Sequence, residues 1–372
     1  MTVNLIFCHL GSQPPKHLIE NLVLTRSRFP RLPIHLITSK ETENTLDNFS
    51  SDEIYTHVYN PSGHVIEILS KQTADISFRQ GFWRYTIERL IAVCEYINEK
   101  NLQSALSVES DMLLLPNFPM EDLVSIKNLA WGLYNENRDV GSLVFVPNPK
   151  KSTWLLNTLL TELNLNSDHT DMTILRKISD TNRSEIRYFP VPIVEMFNVN
   201  SSAPNSFIID LKSRLLSLNG VFDSAALGMW LTGQDPRNNY GSYKLFSQSN
   251  IENGDSLLDP SKLDLLIERG SLYAKFGIEK LEIHCLHIHS KNVEIFAPNL
   301  RLIERNISLF KKTGKSILKM KWSIFLSLLF RALQEKKVIS FIAFMPGMNK
   351  VSKPLLVLTR MLLYKKRARR GM

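Results

Sequence analysis

Several features that would assign this chain to a function class are missing from it. Three cysteines occur in 372 residues, and they lie far apart without metal-ligand spacing: Cys8, Cys94 and Cys285. Their scarcity argues against a disulfide framework and fits a reducing compartment. The sequence also has no Walker loop, no dinucleotide-binding Gly-x-Gly-x-x-Gly pattern, no internal repeat and no low-complexity segment. Neither of these Gly-rich phosphate loops is therefore available to hold a nucleotide.

Long apolar runs are missing as well. The first residues, Met-Thr-Val-Asn-Leu-Ile, lack a basic stretch followed by a long apolar core, so we expect no classical signal peptide. Towards the other end, the apolar runs 322–330, 338–345 and 355–358 are each too short to span a bilayer. A chain of 372 residues suits one large α/β domain with additions, or two domains.

Charge is distributed unevenly along the chain. Residues 301–372 contain 18 Lys and Arg against two acids, a net charge of +16. Because the whole chain carries +9, residues 1–300 carry −7. We therefore place a domain boundary near residue 300 and interpret 301–372 as a basic, amphipathic, helical C-terminal extension that attaches to an anionic membrane surface. Nucleic-acid binding is the weaker alternative, because large aliphatic residues between the basic ones suit lipid better than a phosphate backbone.

Strand-like and helix-like segments alternate through the first 300 residues. The predicted strands are 3–8, 34–38 and 143–146, and the predicted helices are 16–27, 83–97 and 152–163. Such alternation predicts an α/β fold with a mainly parallel, Rossmann-like sheet flanked by helices. Ligands of such sheets bind at the C-terminal ends of the strands.

Two acids follow a strand-like run at the centre of this region. Glu109 and Asp111 end the segment Ser-Ala-Leu-Ser-Val-Glu-Ser-Asp. In an extended backbone, residues two apart point to the same side, so both carboxylates would face one point beyond the strand. Divalent metals that hold a diphosphate prefer such oxygen ligands. The alternative is a pair of solvent-exposed acids at a strand end.

Two further segments carry candidate functional groups. Asp168-His-Thr-Asp171-Met precedes a helix-like run, so its acids are either helix caps or a general base at a helix start. The segment 220–237 combines small residues, which allow close backbone approach, with Asp223 and Trp230, which offer a sugar an acceptor and a stacking face. Its alternative is a tightly packed helix that ends at Gly233.

The third segment is Ile-His-Cys-Leu-His-Ile-His-Ser-Lys at 283–291. His287 and His289 alternate along a predicted strand and would share a face. One imidazole could complete a metal site, and Lys291 could contact a phosphate. A satisfied structural histidine is the alternative for either ring.

In this order, the motifs resemble those of nucleotide-sugar-dependent glycosyltransferases with the GT-A fold. The resemblance covers about residues 3–293. It rests on these segments: the strand 5–8 with His9, Phe82-Trp83-Arg84-Tyr85, Glu109-Ser110-Asp111, Phe-Asp-x-Ala-Ala-x-Gly at 222–228, and His-x-His-Ser-Lys at 287–291. The last two are similar to segments of bacterial and viral-type polysaccharide glycosyltransferases. The family's acidic motif is usually Asp-x-Asp, whereas the first acid here is Glu109.

The resemblance implies a set of roles for these residues. It implies that Mn²⁺ or Mg²⁺ is held by Asp111 and Glu109 with a late histidine, in the first place His289 and in the second His287. The residues that it places against the nucleotide-diphosphate sugar are His9, Ser39, Arg84, Asp111 and Lys291. An inverting reaction needs a carboxylate base on the acceptor side, for which Asp171 is the first candidate and Asp223 the second. A retaining reaction would leave neither assignment standing.

The sequence therefore favours a cytoplasmic glycosyltransferase, peripheral to the inner face of the membrane, that transfers a hexose or deoxyhexose to a surface polysaccharide or lipid-linked glycan. The alternative from another class is a non-catalytic, membrane-docked carbohydrate-binding or scaffold protein on a transferase-like fold. A nucleotidyltransferase is disfavoured because no Gly-rich loop with Lys or Arg lies near the N-terminus. The donor sugar and base, the acceptor, the stereochemical outcome and the oligomeric state are left open.

Overall fold

The alternation of strands and helices in the sequence produces a layered α/β fold. The strands are β1 (Asn4–His9), β2 (Ile34–Thr38), β3 (Ile54–Val58), β4 (Ala105–Val108), β5 (Met112–Leu114), β6 (Leu129–Asn135), β7 (Arg138–Val146), β8 (Ile186–Tyr188), β9 (Val221–Phe222), β10 (Asp264–Glu268), β11 (Ser271–Phe276) and β12 (Glu279–His287). The helices are α1 (Lys16–Arg28), α2 (Lys40–Leu46), α3 (Gly63–Ser70), α4 (Phe82–Glu99), α5 (Met120–Leu123), α6 (Pro149–Leu165), α7 (Asp171–Thr181), α8 (Asn205–Arg214) and α9 (Ala226–Thr232).

The computed structural model describes residues 2–46, 54–74, 81–191, 205–232, 264–276, 279–289, 291 and 293. All of them belong to one compact unit of the chain. Three predictions fall outside the described residues: the basic extension 301–372, the Trp230 side chain and the helix end at Gly233. Within the described ranges, we find no helix with the length and apolar character needed to cross a membrane.

The main sheet has seven strands in the order β3-β2-β1-β4-β7-β6-β8. Strands β3, β2, β1 and β4 are mutually parallel, β7 is antiparallel to both of its neighbours, and β8 is parallel to β6. Six of the seven strands therefore run in one direction, which confirms the predicted mainly parallel sheet. The C-terminal ends of β1, β2 and β4 consequently lie at one edge, where ligands of parallel sheets bind.

Strand β1 is apolar from Leu5 to Cys8 because both of its faces are covered. Ile6 and Cys8 lie in the same core cluster as the buried face of α4, whereas Leu5 and Phe7 lie in the cluster that contains Leu18 of α1. Strands buried on both faces read as continuous apolar runs rather than alternating ones. The two helices thus sandwich the strand that leads towards the candidate site.

The predicted helices are confirmed, with somewhat wider bounds. Prediction 152–163 corresponds to α6, which begins earlier because Asn148 accepts a hydrogen bond from the Lys151 amide at 3.0 Å and Pro149 occupies the first turn. Prediction 83–97 corresponds to α4, which begins after Gly81, a residue with a left-handed φ of 87°. The predicted strand 143–146 is the second half of the longer β7.

A second, smaller sheet carries the late part of the chain back to the acidic motif. Its order is β10-β11-β12-β5, and β9 pairs with β12 in parallel. Strand β5 follows the acidic motif directly, and its antiparallel partner β12 places His287 opposite Met112. This pairing joins parts of the chain that are about 175 residues apart and builds the candidate site.

Candidate active site

The two acids come together in a turn rather than in the extended strand that we predicted. Strand β4 ends at Val108, and the Met112 amide donates to the Glu109 carbonyl at 3.0 Å, which closes a turn before β5. Asp111 is 3% exposed, so the alternative of two solvent-exposed acids is wrong for this residue. The carboxylates of Glu109 and Asp111 lie close together as predicted, but a turn brings them together and not the alternation of an extended strand.

Side chains of helix α1 contact the turn formed by residues 109–112, which we call the acidic turn. The Asn21 side-chain amide donates to the carbonyls of Ser110 at 3.1 Å and Met112 at 2.8 Å, and His17 Nε2 lies 3.1 Å from Ser110 Oγ. On the other side, the Glu109 amide donates to the Ser142 carbonyl at 2.9 Å. The sequence analysis missed Asn21, whose polar side chain in the apolar face of α1 is the signal that could have identified it.

His287 lies between the two carboxylates. Its Nε2 atom is 3.1 Å from Asp111 Oδ2 and 3.2 Å from Glu109 Oε2. One potential ligand atom from each of these three residues lies within 4.8 Å of the other two. Two carboxylate oxygens and one imidazole nitrogen form a donor set that fits a divalent cation.

His289, the first choice from the sequence, is not one of the three residues whose potential ligand atoms converge. The two rings stack with centroids 4.0 Å apart, and His289 Nε2 is buried without a hydrogen-bond partner among the described residues. The two rings lie on the same side of the chain, as predicted, but they stack across a turn because β12 ends at His287. That turn is closed by the His289 amide, which donates to the His287 carbonyl at 2.9 Å.

Two cations flank the carboxylates. Lys291 pairs with Asp111 through its ammonium group, and its backbone has a left-handed φ of 59°. Arg89 of α4 pairs with Glu109, donates to the Gly141 carbonyl at 3.2 Å and lies 3.9 Å from Asp171 Oδ2. Arg89 was missed by the sequence analysis, although a charged residue within the apolar arc of a predicted helix is a usable signal.

The opposed charges control protonation in the cluster. Burial alone would raise the pKa of Glu109, but the Arg89 guanidinium and the hydrogen bond from His287 lower it to about 2. Burial would likewise raise the pKa of Asp111, which Lys291 and His287 hold well below its usual range. Burial would lower the pKa of His287, but the two carboxylates raise it to about 10.

Asp171 reaches the cluster through Arg89. It is the first residue of α7, is 5% exposed and has an Oδ1 atom without a hydrogen-bond partner among the described residues. Burial raises the pKa of Asp171 to about 6, against the opposing charge of Arg89. The helix cap is Thr170, which forms a capping box with Thr173, so the alternative of Asp171 as a cap is wrong.

Asp223 is 2% exposed and lies behind His287. Its carboxylate accepts hydrogen bonds from the backbone amides of Leu227, Gly228 and His287, at distances of 3.1, 2.7 and 2.9 Å. Burial raises the pKa of Asp223, and these three bonds oppose the rise. The small residues of this segment allow close packing as the sequence indicated, since Ala225 and Ala226 are both buried.

The remaining candidates lie at the ends of elements that point to the same edge of the main sheet. His9 ends β1, and its Nε2 atom is 2.8 Å from the Gln13 carbonyl oxygen. Ser39 follows β2 and donates to the Gly11 carbonyl at 2.8 Å. Arg84 is exposed in the first turn of α4. Among the described residues, these three side chains make no hydrogen bond or ion pair with the acidic turn, so their donor-binding role stays a prediction.

Comparisons with known proteins identify no family. No protein-family model matches the chain, and no curated protein matches it. Solved structures with a similar chain path include the galactosyltransferase LgtC in complex with donor and acceptor sugar analogues, with 13% identity over 57% of this chain and 84% of that one and a TM-score of 0.39. Another is mouse xyloside xylosyltransferase 1, with 8% identity, 50% and 85% coverage and a TM-score of 0.34.

The PaToxG glycosyltransferase matches with 8% identity over 49% of this chain and 69% of that one, with a TM-score of 0.33. TM-scores of this size indicate only a partial similarity in backbone path. The function of the present chain therefore has to be argued from the residues of its own site.

Proposed function

We propose that this chain is a metal-dependent glycosyltransferase that moves a sugar from a nucleotide-diphosphate donor to a hydroxyl of a glycan or lipid-linked acceptor. The observation that supports the proposal most strongly is the meeting of Glu109, Asp111 and His287 beside Lys291. These groups come from two sheets and from segments more than 170 residues apart, and they meet at the edge where parallel α/β sheets bind ligands.

Glu109, Asp111 and His287 are the residues that would hold Mn²⁺ or Mg²⁺. The fit rests on the carboxylate pair, of which Asp111 is buried and Glu109 partly buried, and on the imidazole nitrogen that already faces both acids. When bound, such a cation stabilises the negative charge that develops on the diphosphate as the sugar leaves.

Two cationic side chains have distinct roles in this proposal. Lys291 is 24% exposed at its side chain, so its ammonium group can reach a diphosphate at the solvent side of Asp111. Arg89 is more deeply enclosed and holds the Glu109 carboxylate in a fixed orientation through its guanidinium. Together they compensate the charge of the acids, which would otherwise be buried at high cost.

Asp171 is the group that we propose as general base for an inverting transfer. It lies within reach of the same arginine that holds Glu109, and one of its oxygens has no partner among the described residues. A carboxyl group with a pKa of about 6 is largely ionised at pH 7 and binds a proton more strongly than an ordinary aspartate. Asp223 is less suited, because three backbone amides already occupy its oxygens.

The basic extension completes the proposal for the whole chain. We propose residues 1–300 as the transferase domain and 301–372 as a segment that binds the anionic inner face of a membrane, since its net charge is +16. A cytoplasmic location and a surface-polysaccharide or lipid-linked acceptor belong to this proposal. Membrane attachment would place the transferase close to an acceptor that is itself anchored in the membrane by its lipid.

The test uses the full-length chain and a panel of nucleotide sugars. Thermal-shift screening with Mn²⁺ should find a donor that stabilises the protein, and that donor should be hydrolysed slowly without acceptor. Excess EDTA should abolish both effects. Asp111→Asn should lower turnover by orders of magnitude, because a neutral amide is a poor metal ligand, whereas Asp122→Asn on the exposed face of α5 should act as wild type. Full activity in EDTA, or in Asp111→Asn, would exclude this centre.

A further inference from the structure

The carboxylate of Asp223 joins two elements behind the candidate metal centre. Its Oδ1 atom accepts from the Leu227 amide, and its Oδ2 atom accepts from the amides of Gly228 and His287. Leu227 and Gly228 belong to the first turn of α9, whereas His287 is the last residue of β12. One buried side chain therefore fixes the end of β12 against the start of a helix.

The next peptide group contacts the imidazole itself. The Ser224 carbonyl oxygen lies 3.1 Å from His287 Nδ1 and also accepts from Ser142 Oγ at 3.2 Å. Because a carbonyl oxygen can only accept, His287 Nδ1 carries the proton. The Nε2 atom is the one that faces Glu109 and Asp111; without metal it donates its proton to these carboxylates, and its lone pair would bind a cation once that proton has left.

Gly228 permits this close approach. A Cβ atom at position 228 would lie 2.1 Å from the His287 carbonyl oxygen and 2.6 Å from Asp223 Oδ2. Neither neighbour can yield easily, since one is backbone and the other is held by three hydrogen bonds. Glycine is therefore required where the first turn of α9 meets the end of β12.

We propose that Asp223, the Ser224 carbonyl and Gly228 form a clamp that positions His287 as a metal ligand and fixes its tautomer. The proposal rests on the metal centre described under Proposed function. It assigns the segment Phe-Asp-x-Ala-Ala-x-Gly to support of the centre, where the sequence had suggested sugar contact. Asp223 is thus a positioning residue, and groups of this kind typically change metal affinity by about 10–100-fold when they are replaced.

The test measures Mn²⁺ affinity of the full-length chain from the EPR signal of the free ion, below the unfolding transition of every variant. Asp223→Asn keeps the size of the side chain but replaces an acceptor oxygen with a donor group, so affinity should fall about 10–100-fold. The matched control is the exposed Asp122→Asn. Gly228→Ala should weaken binding as well, whereas Gly63→Ala should not, since nothing lies within 4 Å of a Cβ there.

A second readout follows the tautomer directly. In [¹⁵N]histidine-labelled protein with saturating Mg²⁺, the His287 signal should show a protonated Nδ1; a His287→Gln variant identifies that signal. Asp223→Asn should lower the protonated fraction at Nδ1 while the other histidine signals stay unchanged. A purely structural role of Asp223 would change the unfolding temperature without this selective effect.

The outcomes separate the clamp from the metal centre. Wild-type Mn²⁺ affinity and an unchanged His287 signal in Asp223→Asn would overturn the clamp; combined with lost transfer, they would make Asp223 a catalytic candidate again. Equal Mn²⁺ binding by wild type and His287→Ala would overturn the metal centre, and the clamp with it. If Gly228→Ala fails to fold, the Asp223→Asn measurements decide alone.

Discussion

The Arg89 guanidinium links two acids that lie on different elements: it pairs with Glu109 and lies 3.9 Å from Asp171 Oδ2. Its side chain is only 12% exposed, so water screens these charges weakly. Burial would lower the pKa of Arg89, and the charges of Glu109 and Asp171 raise it instead. Arg89 therefore remains charged and connects the candidate metal centre with the candidate base.

Replacement of Arg89 should destabilise the fold through its acidic partners. Arg89→Met removes the cation beside Asp171 and leaves Glu109 with His287 alone, and breaking a buried ion pair in this way typically costs about 3–5 kcal/mol of unfolding free energy. The double variant Arg89→Met with Glu109→Gln should recover part of that loss, because one of the orphaned charges is removed. Denaturant unfolding without metal measures both effects, with the exposed Arg138→Met as control. A double variant no more stable than Arg89→Met would show that charge compensation is not the cause.

The two stacked histidines should differ strongly in their effect on metal binding. His287→Ala removes the imidazole nitrogen that faces both carboxylates, so Mn²⁺ affinity should fall at least about 100-fold. His289→Phe retains a ring that can stack on His287 and should lower affinity less than about 10-fold. Isothermal titration with Mn²⁺ distinguishes them. Equal losses in the two variants would assign His289 to the ligand set.

Asp171→Asn should reduce sugar transfer far more than donor binding, because a general base acts on the acceptor hydroxyl in the transition state. In the wild type, transfer should fall as pH drops through about 6, since the base must be ionised and its pKa is raised to about 6. Arg89 and Glu109 face this carboxylate, and Thr86 hydrogen-bonds to it, so all three must be retained in the comparison. Asp168→Asn, near the surface of the same loop, is the control.

Equal loss of nucleotide affinity and transfer in Asp171→Asn would point to a structural role. A pH profile of transfer without a fall near 6 would likewise separate Asp171 from the rate-limiting proton transfer.

A buried histidine far from the candidate site should make stability depend on pH. His35 lies among Tyr55, Tyr96 and Asn4, and burial lowers its pKa from 6.5 to about 4. Between these two pH values His35 binds a proton in the unfolded chain but not in the folded chain. The free energy of unfolding therefore falls as the pH decreases from about 6.5 to 4. The loss reaches on the order of 3 kcal/mol.

Urea unfolding at several pH values measures this effect. His35→Gln should remove most of the slope within that window, whereas the exposed His64→Gln should retain it. His57 and Glu99 lie close to the same aromatic group and are kept unchanged. A slope that persists in His35→Gln would assign the pH dependence to other groups.

The basic extension should bind vesicles that contain anionic lipid. Each basic residue near the surface contributes at most about 1 kcal/mol, which salt screens within about 8–10 Å. Inserted apolar side chains between the basic residues should leave a salt-resistant fraction. Co-sedimentation of the full chain and of a chain truncated near residue 300 tests this. If the full chain and the truncated chain pellet equally with the vesicles, the membrane proposal is wrong. If the extension prefers nucleic acid at physiological salt, the alternative of nucleic-acid binding is favoured.

Local pattern predicted the elements of this fold well and the site only in part. Apolar runs such as the one in β1 and the helical spacing in α4 reflect burial by neighbouring layers, so they are visible in sequence. The pairing of β5 with β12 brings Asp111 and His287 together from 176 positions apart, and no local pattern encodes that contact. The resemblance ranked His289 before His287 as metal ligand, and motif order alone could not show that His287 Nε2 is the nitrogen that faces both acids.

Residues that position other side chains were harder to predict than the side chains that they position. Asp223 looked like a sugar ligand or a base, and only its three amide donors identify it as a connector between α9 and β12. Asn21 and Arg89 sit in apolar helix faces, where their polarity was the only indication. Each acts through a backbone or side-chain partner that is distant along the chain.

The pairing of Met112 with His287 also sets an order of events during synthesis. All strands of the main sheet have been synthesised once the ribosome has completed β8. His287 lies 99 residues beyond the end of that strand. At about 5–20 residues per second, the ribosome needs roughly 5–20 s to supply it. During that interval the acidic turn exists without its imidazole partner. If the proposed metal centre is right, a nascent chain can complete its cation site only after residue 287 has been synthesised, late in the translation of residues 1–300.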